Sequence, residues 1–267
     1  MMNALIPLWR RAITAEVCWL TAEGDPAAVA ATPLLDRDVP CVALPYSRAG
    51  EVAGLRDAEQ VAFAVTDSRS LRPGVPAMAV VGAVSVLDDT EGDHFVVELL
   101  KQELVKFPPT RTLADSPLLC RENWWWLPRL IIRLERVTRL LELPPRTNPA
   151  RHGLLVRERD ATLAPGVVEV LDGRHDRLPL RDAGGKALRG DGGPALVFGY
   201  DYSMPDLERW ETWSRGGRLL GDELVVERRS GSPDADLSPL SLLGRVRRQR
   251  EMSRECKRNI LAAQRRG

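Results

Sequence analysis

The chain has 267 residues, with 38 Lys and Arg against 37 Asp and Glu, a net charge of +1. Hydrophobic residues at 44% and charged residues at 28% are ordinary for a globular protein of one large or two modest domains, and no global basic field argues for nucleic acid. Four scattered cysteines, no apolar run near the roughly 20 residues of a membrane span, and no signal-peptide pattern in residues 1–11 exclude disulfide-rich secreted and membrane classes. The expectation is a cytoplasmic protein. The arginine-, Ala-, Gly- and Pro-rich composition is that of a GC-rich bacterial genome.

Residues 4–13 read as a short helix with Leu5, Leu8, Trp9 and Ile13 on one side. Strands follow at Glu16–Thr21, Ala27–Pro33 and Val39–Leu44, punctuated by Glu23-Gly24-Asp25-Pro26 and Asp36-Arg37-Asp38 as turns. A short helix is predicted at Glu51–Asp57. Val61–Thr66 and Ala77–Leu87 are further strands, and Gly82 inside the second signals a bulge or a close backbone approach. Asp93–Lys106 is helical, with Phe95, Leu99, Leu100 and Leu104 at helical spacing and Pro108-Pro109 closing it. Trp126–Leu141 returns to strand alternation.

The proline cluster Pro144–Pro149 reads as a linker, giving a domain over 1–146, a smaller β-containing region over 147–238 and a basic helical tail over 239–267. In the middle region Val167–Leu171, Pro194–Tyr200 and Glu223–Arg228 read as strands, Pro205–Ser214 as a short helix and Gly184–Gly193 as a loop. Val39–Asp67 and Pro194–Glu227 share an order of strand, Tyr-Ser, short helix and strand. A degenerate second barrel half is one reading of that echo; two unrelated units is the simpler one. The tail Arg245–Arg266 holds nine basic and two acidic residues. It lacks interleaved aromatics, so a helix docked on its own chain or on a second subunit is favoured over an RNA contact.

Six short strands with inserted helices make a mainly β fold, a small barrel with flanking helices. The order of elements at 39–90 carries more. The run PCVALPYSRAGEVAGLRDAEQVAFAVTDSRS, followed by VPAMAVVGAVSVLDD, resembles the pyridoxamine 5′-phosphate oxidase-like, flavin-binding split-barrel superfamily. The matching features are Tyr46-Ser47-Arg48, Leu55, Val61–Val65, and Val81-Gly82 followed by Asp88-Asp89. Trp126–Leu134 is similar to the closing strands of deazaflavin-type members. The resemblance spans about residues 5–143 and implies a six-stranded split barrel. It further implies a homodimer with FMN or a deazaflavin coenzyme in a groove between subunits, and a haem ranks behind these.

On that basis Ser47 and Arg48 would meet a phosphate, with Tyr46 and Gly82 beside the cofactor and Arg56 in support. Trp125 or Trp126 would lie near the ring, and Arg121 and Arg129 flank the tryptophan run. The chain departs from the family at Ala49, where a second cation is common. It departs again at Ala77, Met78 and Ala79, where oxidases often place an arginine, and it lacks their carboxy-terminal Arg-Pro signature. Vitamin B6 oxidation is therefore not expected. His94, His152 and His175 lie far apart with no ligand partner at metal spacing, so no metal site is expected. No side chain announces itself as an acid or base, and no catalytic residue is assigned. Two functions compete: a flavin- or deazaflavin-dependent oxidoreductase acting on a small molecule, and a non-catalytic split barrel that binds haem, flavin or another metabolite or serves in assembly.

Overall fold

The computed structural model describes residues 2–114 and 124–265. Helix α1 (Met2–Arg11) buries Leu5, Leu8 and Trp9. Seven strands follow: β1 (Ala15–Leu20), β2 (Pro26–Ala31), β3 (Pro33–Asp36), β4 (Val39–Pro45), β5 (Val61–Val65), β6 (Ala77–Asp89) and β7 (Arg129–Leu143). They pair antiparallel in the order β2-β1-β5-β6-β7-β4-β3. Because β2 and β3 are two arms of one strand broken only at Thr32, the ends of that sheet are one piece of chain. The ring is thus a six-stranded split barrel, filled by Val17, Trp19, Val42, Phe63, Val80 and Ile132.

The second half is more regular than its sequence suggests. Strands β8 (His152–Arg159), β9 (Thr162–Leu163), β10 (Gly166–Val170), β11 (Arg177–Asp182), β12 (Gly190–Tyr202), β13 (Trp210–Gly221) and β14 (Glu223–Ser230) run in the order β10-β11-β14-β13-β12-β8-β9. Since β10 also pairs with β8, six of them close into a barrel around Leu155, Val168, Val197, Trp213 and Leu224. Numbered within each barrel, the two rings have the same order: strand 1 lies beside 2 and 4, and 5, 6 and 3 complete the circuit. β9 and β10, separated at Ala164-Pro165, together form the second strand, as β2 and β3 do in the first barrel.

Three sequence expectations are corrected here. Residues 205–214 are not a helix: Leu207 has φ +51° in a turn, and Trp210 opens β13. The spacing of Leu207, Trp210 and Trp213 imitates a helical face, yet left-handed backbone at Leu207 cannot continue a right-handed helix. The loop expected at 184–193 likewise ends early, because β12 begins at Gly190. The proline cluster at 144–149 is not a free linker either. Arg146 is buried, its N–H donates to the Thr66 carbonyl (2.7 Å), and its own carbonyl accepts from the Ser68 N–H (3.0 Å).

The barrels share apolar surface. Cys18, Ala62 and Val81 pack with Leu154, Val156 and Leu163, and Ala30 packs with Phe198, Tyr200 and Tyr202. Between β6 and β7 lie a π-helical turn (Phe95–Leu99), α2 (Leu100–Lys106) and α3 (Pro108–Ala114). Helix α4 (Leu242–Gln264) lies on the first barrel and is capped by Ser241, whose hydroxyl accepts from the Gly244 N–H. No described helix is long and apolar enough to cross a membrane.

Candidate functional site

The segment after β4 is a 3₁₀ helix over Tyr46–Leu55, starting earlier than the helix expected at 51–57. It gathers Tyr46, Ser47, Arg48 and, just beyond it, Arg56. Each already has partners within the chain. The Tyr46 hydroxyl donates to Asp88 (3.0 Å), and Arg56 pairs with the same carboxylate. The Arg48 guanidinium forks onto Glu51 at 2.6 and 3.0 Å and donates to the Ala30 carbonyl at 2.9 Å. The Ser47 N–H donates to Cys256 Sγ (3.1 Å), and Asn259 donates to the Tyr46 carbonyl (2.7 Å), both from α4. A phosphate at this turn would have to displace α4 and unmake the Arg48–Glu51 fork, so the turn as built does not fit one.

The other expected residues lie elsewhere. Gly82 sits at a bulge of β6, where its Cβ would fall 1.8 Å from the Arg136 carbonyl oxygen. It lines a different cavity from Ser47 and Arg48. Trp126 is buried with Phe95, Leu99 and Ile131, and Trp125 packs partly against that cluster. Neither lines the cavity that holds Ser47 and Arg48. Arg121 and Cys120 lie outside the described residues.

That cavity, about 410 Å³, is a groove at the seam of the two barrels. The β2–β3 bend (Ala31, Thr32) and the end of β4 form one side, and Trp210 and Thr212 of β13 form another. Glu103, Phe107 and Thr110 come from the α2–α3 insertion, and Arg248, Met252 and Glu255 from α4. Its polar floor is buried: Arg129 donates to Glu103 (3.1 Å), and the Thr110 hydroxyl donates to the same carboxylate (2.6 Å). Behind it, Lys106 donates to the carbonyls of Trp9 (2.9 Å) and Pro33 (2.6 Å), and burial lowers its pKa to about 7.

A second lobe of about 420 Å³ adjoins this one and shares Phe107, Trp210, Arg248 and Met252 with it. Its other walls include Leu113, Leu207 and Leu240. The Phe107 and Trp210 rings, 6.0 Å apart, stand between the polar and the apolar lobe. Of three guanidiniums on the groove, Arg48 and Arg129 are paired with carboxylates. Arg248 is hydrogen-bonded only to the Glu208 carbonyl, at 3.2 Å, among the described residues.

Sequence reasoning found Ser47, Arg48 and Arg129 but missed Glu103, Phe107, Trp210 and Arg248. The misplaced helix at 205–214 hid Trp210, and nothing in a basic tail marks one arginine as a groove wall.

No protein-family model and no curated protein matches the chain. Among solved structures it is similar to HutZ, the heme storage protein from Vibrio cholerae, at 10% identity over 54% of this chain and 95% of that one (TM-score 0.38). A heme binding protein from Mycobacterium smegmatis aligns at 14% identity over 95% and 97% (TM-score 0.34). A pyridoxamine 5′-phosphate oxidase-related, FMN binding protein from Nostoc punctiforme aligns at 10% over 80% and 94% (TM-score 0.28). The ring of strands over residues 15–143, with the run Tyr46–Asp89 in its place, gives the first half of the chain the six-stranded split-barrel fold that the resemblance to the pyridoxamine 5′-phosphate oxidase-like superfamily implies.

Proposed function

We propose that the protein is a binding protein for a planar, anionic small molecule held in the groove between its barrels. The observation that carries this reading is the Phe107–Trp210 pair between an apolar lobe and a polar one in which Arg248 keeps uncommitted donors. An aromatic ring system gains area and offset stacking against Trp210, and its anionic tail gains a guanidinium fork. The chemistry matches FMN or a deazaflavin coenzyme. A haem ranks behind them because no histidine is among the described lining residues.

Binding is favoured over catalysis because Glu103, the buried carboxylate among the described lining residues, is committed to Arg129 and Thr110, while Glu51, paired with Arg48, and Glu255 are exposed to solvent. A bound flavin would itself supply hydride chemistry; this chain's part is to hold and shield it. The cytoplasm remains the proposed location, and a homodimer the proposed assembly. Light scattering near twice 29.6 kDa supports the dimer, whereas 29.6 kDa leaves the second barrel as the first one's only partner.

The test is a titration of the purified protein with FMN, a deazaflavin and haem, followed by fluorescence and absorbance. Losing a charge-assisted contact costs about 1.5–3 kcal/mol, so Arg248→Ala should weaken binding roughly ten- to hundredfold. Arg48→Ala, at a cation already paired, should change it far less. Equal losses in both variants, or no binding of any of the three probes, would sink the reading.

A further inference from the structure

The equal strand order of the two barrels lets their strands be matched one to one. The groove is built from the second and third strands of barrel one and the fifth strand of barrel two. With the barrels exchanged, the matching strands include the fifth of barrel one, β6, and the second of barrel two, β9 with β10. A cavity of about 450 Å³ lies there. Val81, Gly82 and Ala83 of β6, Arg136, Thr138 and Arg139 of β7, and Thr162 of β9 line it, with Glu59 and Gln60 at its edge.

This wall is shaped by irregularity. The β6–β7 register shifts twice within four residues, at Val81/Gly82 and Ala83/Val84. Gly82 is the residue that permits it, since any side chain there would strike the Arg136 carbonyl. Bulges of this kind re-aim side chains and are frequent beside ligand sites.

The donors are unequal. Arg139 is tied down: it donates to the Thr162 hydroxyl at 3.0 Å and to the Leu163 carbonyl, while its buried Nε has no partner. Gln60 accepts the Leu163 N–H at 3.1 Å through Oε1, which leaves its NH₂ uncommitted. Arg136 makes no ion pair among the described residues and keeps its whole fork. Against these cations the cavity has one carboxylate, Glu59.

We infer that this cavity is a second ligand site, taking the phosphate group of a small molecule on Arg136, with the Gln60 amide beside it; the Thr138 hydroxyl, which donates to the Val81 carbonyl (3.0 Å), lines the cavity without donating to the ligand. A guanidinium fork matches two phosphate oxygens, and the cavity is wide enough for a group larger than an ion. The site does not depend on the groove's being occupied.

The experiment is a titration with inorganic phosphate at constant ionic strength, read by backbone amide NMR shifts. It uses wild type, Arg136→Ala and Arg248→Ala, with acetate as a second probe. The expected result is a phosphate-dependent shift at Gln60, Gly82 and Thr138. Arg136→Ala should weaken it roughly tenfold or more, and Arg248→Ala should leave it unchanged. Arg136 is exposed and unpaired, so its replacement should not alter the melting temperature, which a separate melt checks. Shifts that persist in Arg136→Ala, or that never appear in wild type, overturn the site. Acetate binding as tightly as phosphate overturns the phosphate assignment. None of these outcomes bears on the flavin and haem titrations, so the two readings fail separately.

Discussion

At the scale of single residues, two features have consequences that a side-chain census would miss. Gly82 is not in the left-handed region, and its constraint is space: a methyl group at 1.8 Å from the Arg136 oxygen meets main chain that cannot swing aside. Gly82→Ala should cost about 1–3 kcal/mol or more, as forced overpacking does. Gly166→Ala, with nothing within 4 Å, should be near neutral. Thermal melts of the two variants decide the point; equal melting temperatures would mean that the β6–β7 bulge relaxes freely. Lys106 gives a second test. Burial lowers its pKa from 10.5 to about 7, so between those values the unfolded chain binds a proton that the folded chain lacks. Stability from this group therefore rises with pH from about 7 to 10.5, and its full burial penalty is felt below 7. Lys106→Met should flatten the rise in unfolding free energy across that window, measured by denaturant titration at several pH values. An unchanged slope would place the titration elsewhere.

At the scale of elements, α4 shows what a sequence can and cannot tell. Its helicity is legible from Pro239 onward, and its basic charge is plain, but only Cys256 and Ala263 of its 23 residues are buried. Polar contacts also hold it: Cys256 and Asn259 meet backbone atoms of Ser47 and Tyr46, which leave no trace in residue type, Arg245 and Arg248 reach Glu208, and Gln264 reaches Glu91. Asn259→Ala removes the bond to the Tyr46 carbonyl, worth about 1 kcal/mol. Amides of α4 should then exchange roughly fivefold faster while those of β5 and β6 hold their rates. Uniform acceleration would mean that α4 opens only with the whole fold. The first barrel was legible because β4, β5 and β6 are compact apolar runs with strong turns between them. The second was legible only in part: Val167–Leu171, Pro194–Tyr200 and Glu223–Arg228 fall on β10, β12 and β14, but β8, β11 and β13 were missed, and β12 and β13 carry Gly190, Gly192, Gly193, Gly199, Gly216 and Gly217. Gly199 and Gly217 are there because Trp213 and the Val225 carbonyl occupy the space a side chain would need. That tight packing erased the alternation by which a strand is recognised.

At the scale of the molecule, the decisive feature is a buried polar cluster that joins both barrels through the segment expected to be a linker. Glu16 of β1 is fully buried, and burial raises its pKa against the pull of Arg146. Arg146 donates to Glu16 (3.2 Å) and to the Thr66 hydroxyl (2.8 Å), and its guanidinium lies 4.2 Å from the centre of the Tyr200 ring. Tyr200, from β12, donates its hydroxyl to Glu16 at 2.8 Å. Nearby, Arg69 of the first barrel reaches Asp201 of the second (2.7 Å) and stacks on Tyr202. Removing one partner of a buried ion pair strands the other and costs about 3–5 kcal/mol, more than removing both together. Arg146→Met should therefore be severely destabilised, and Glu16→Gln added to it should recover part of the loss. Because the cluster bonds to both barrels, wild type should melt in a single calorimetric transition. Limited proteolysis near residue 150 should not release a stable first barrel. Two separate transitions, with Arg146→Met lowering only one, would show that the barrels fold independently and that the cluster serves the first of them alone.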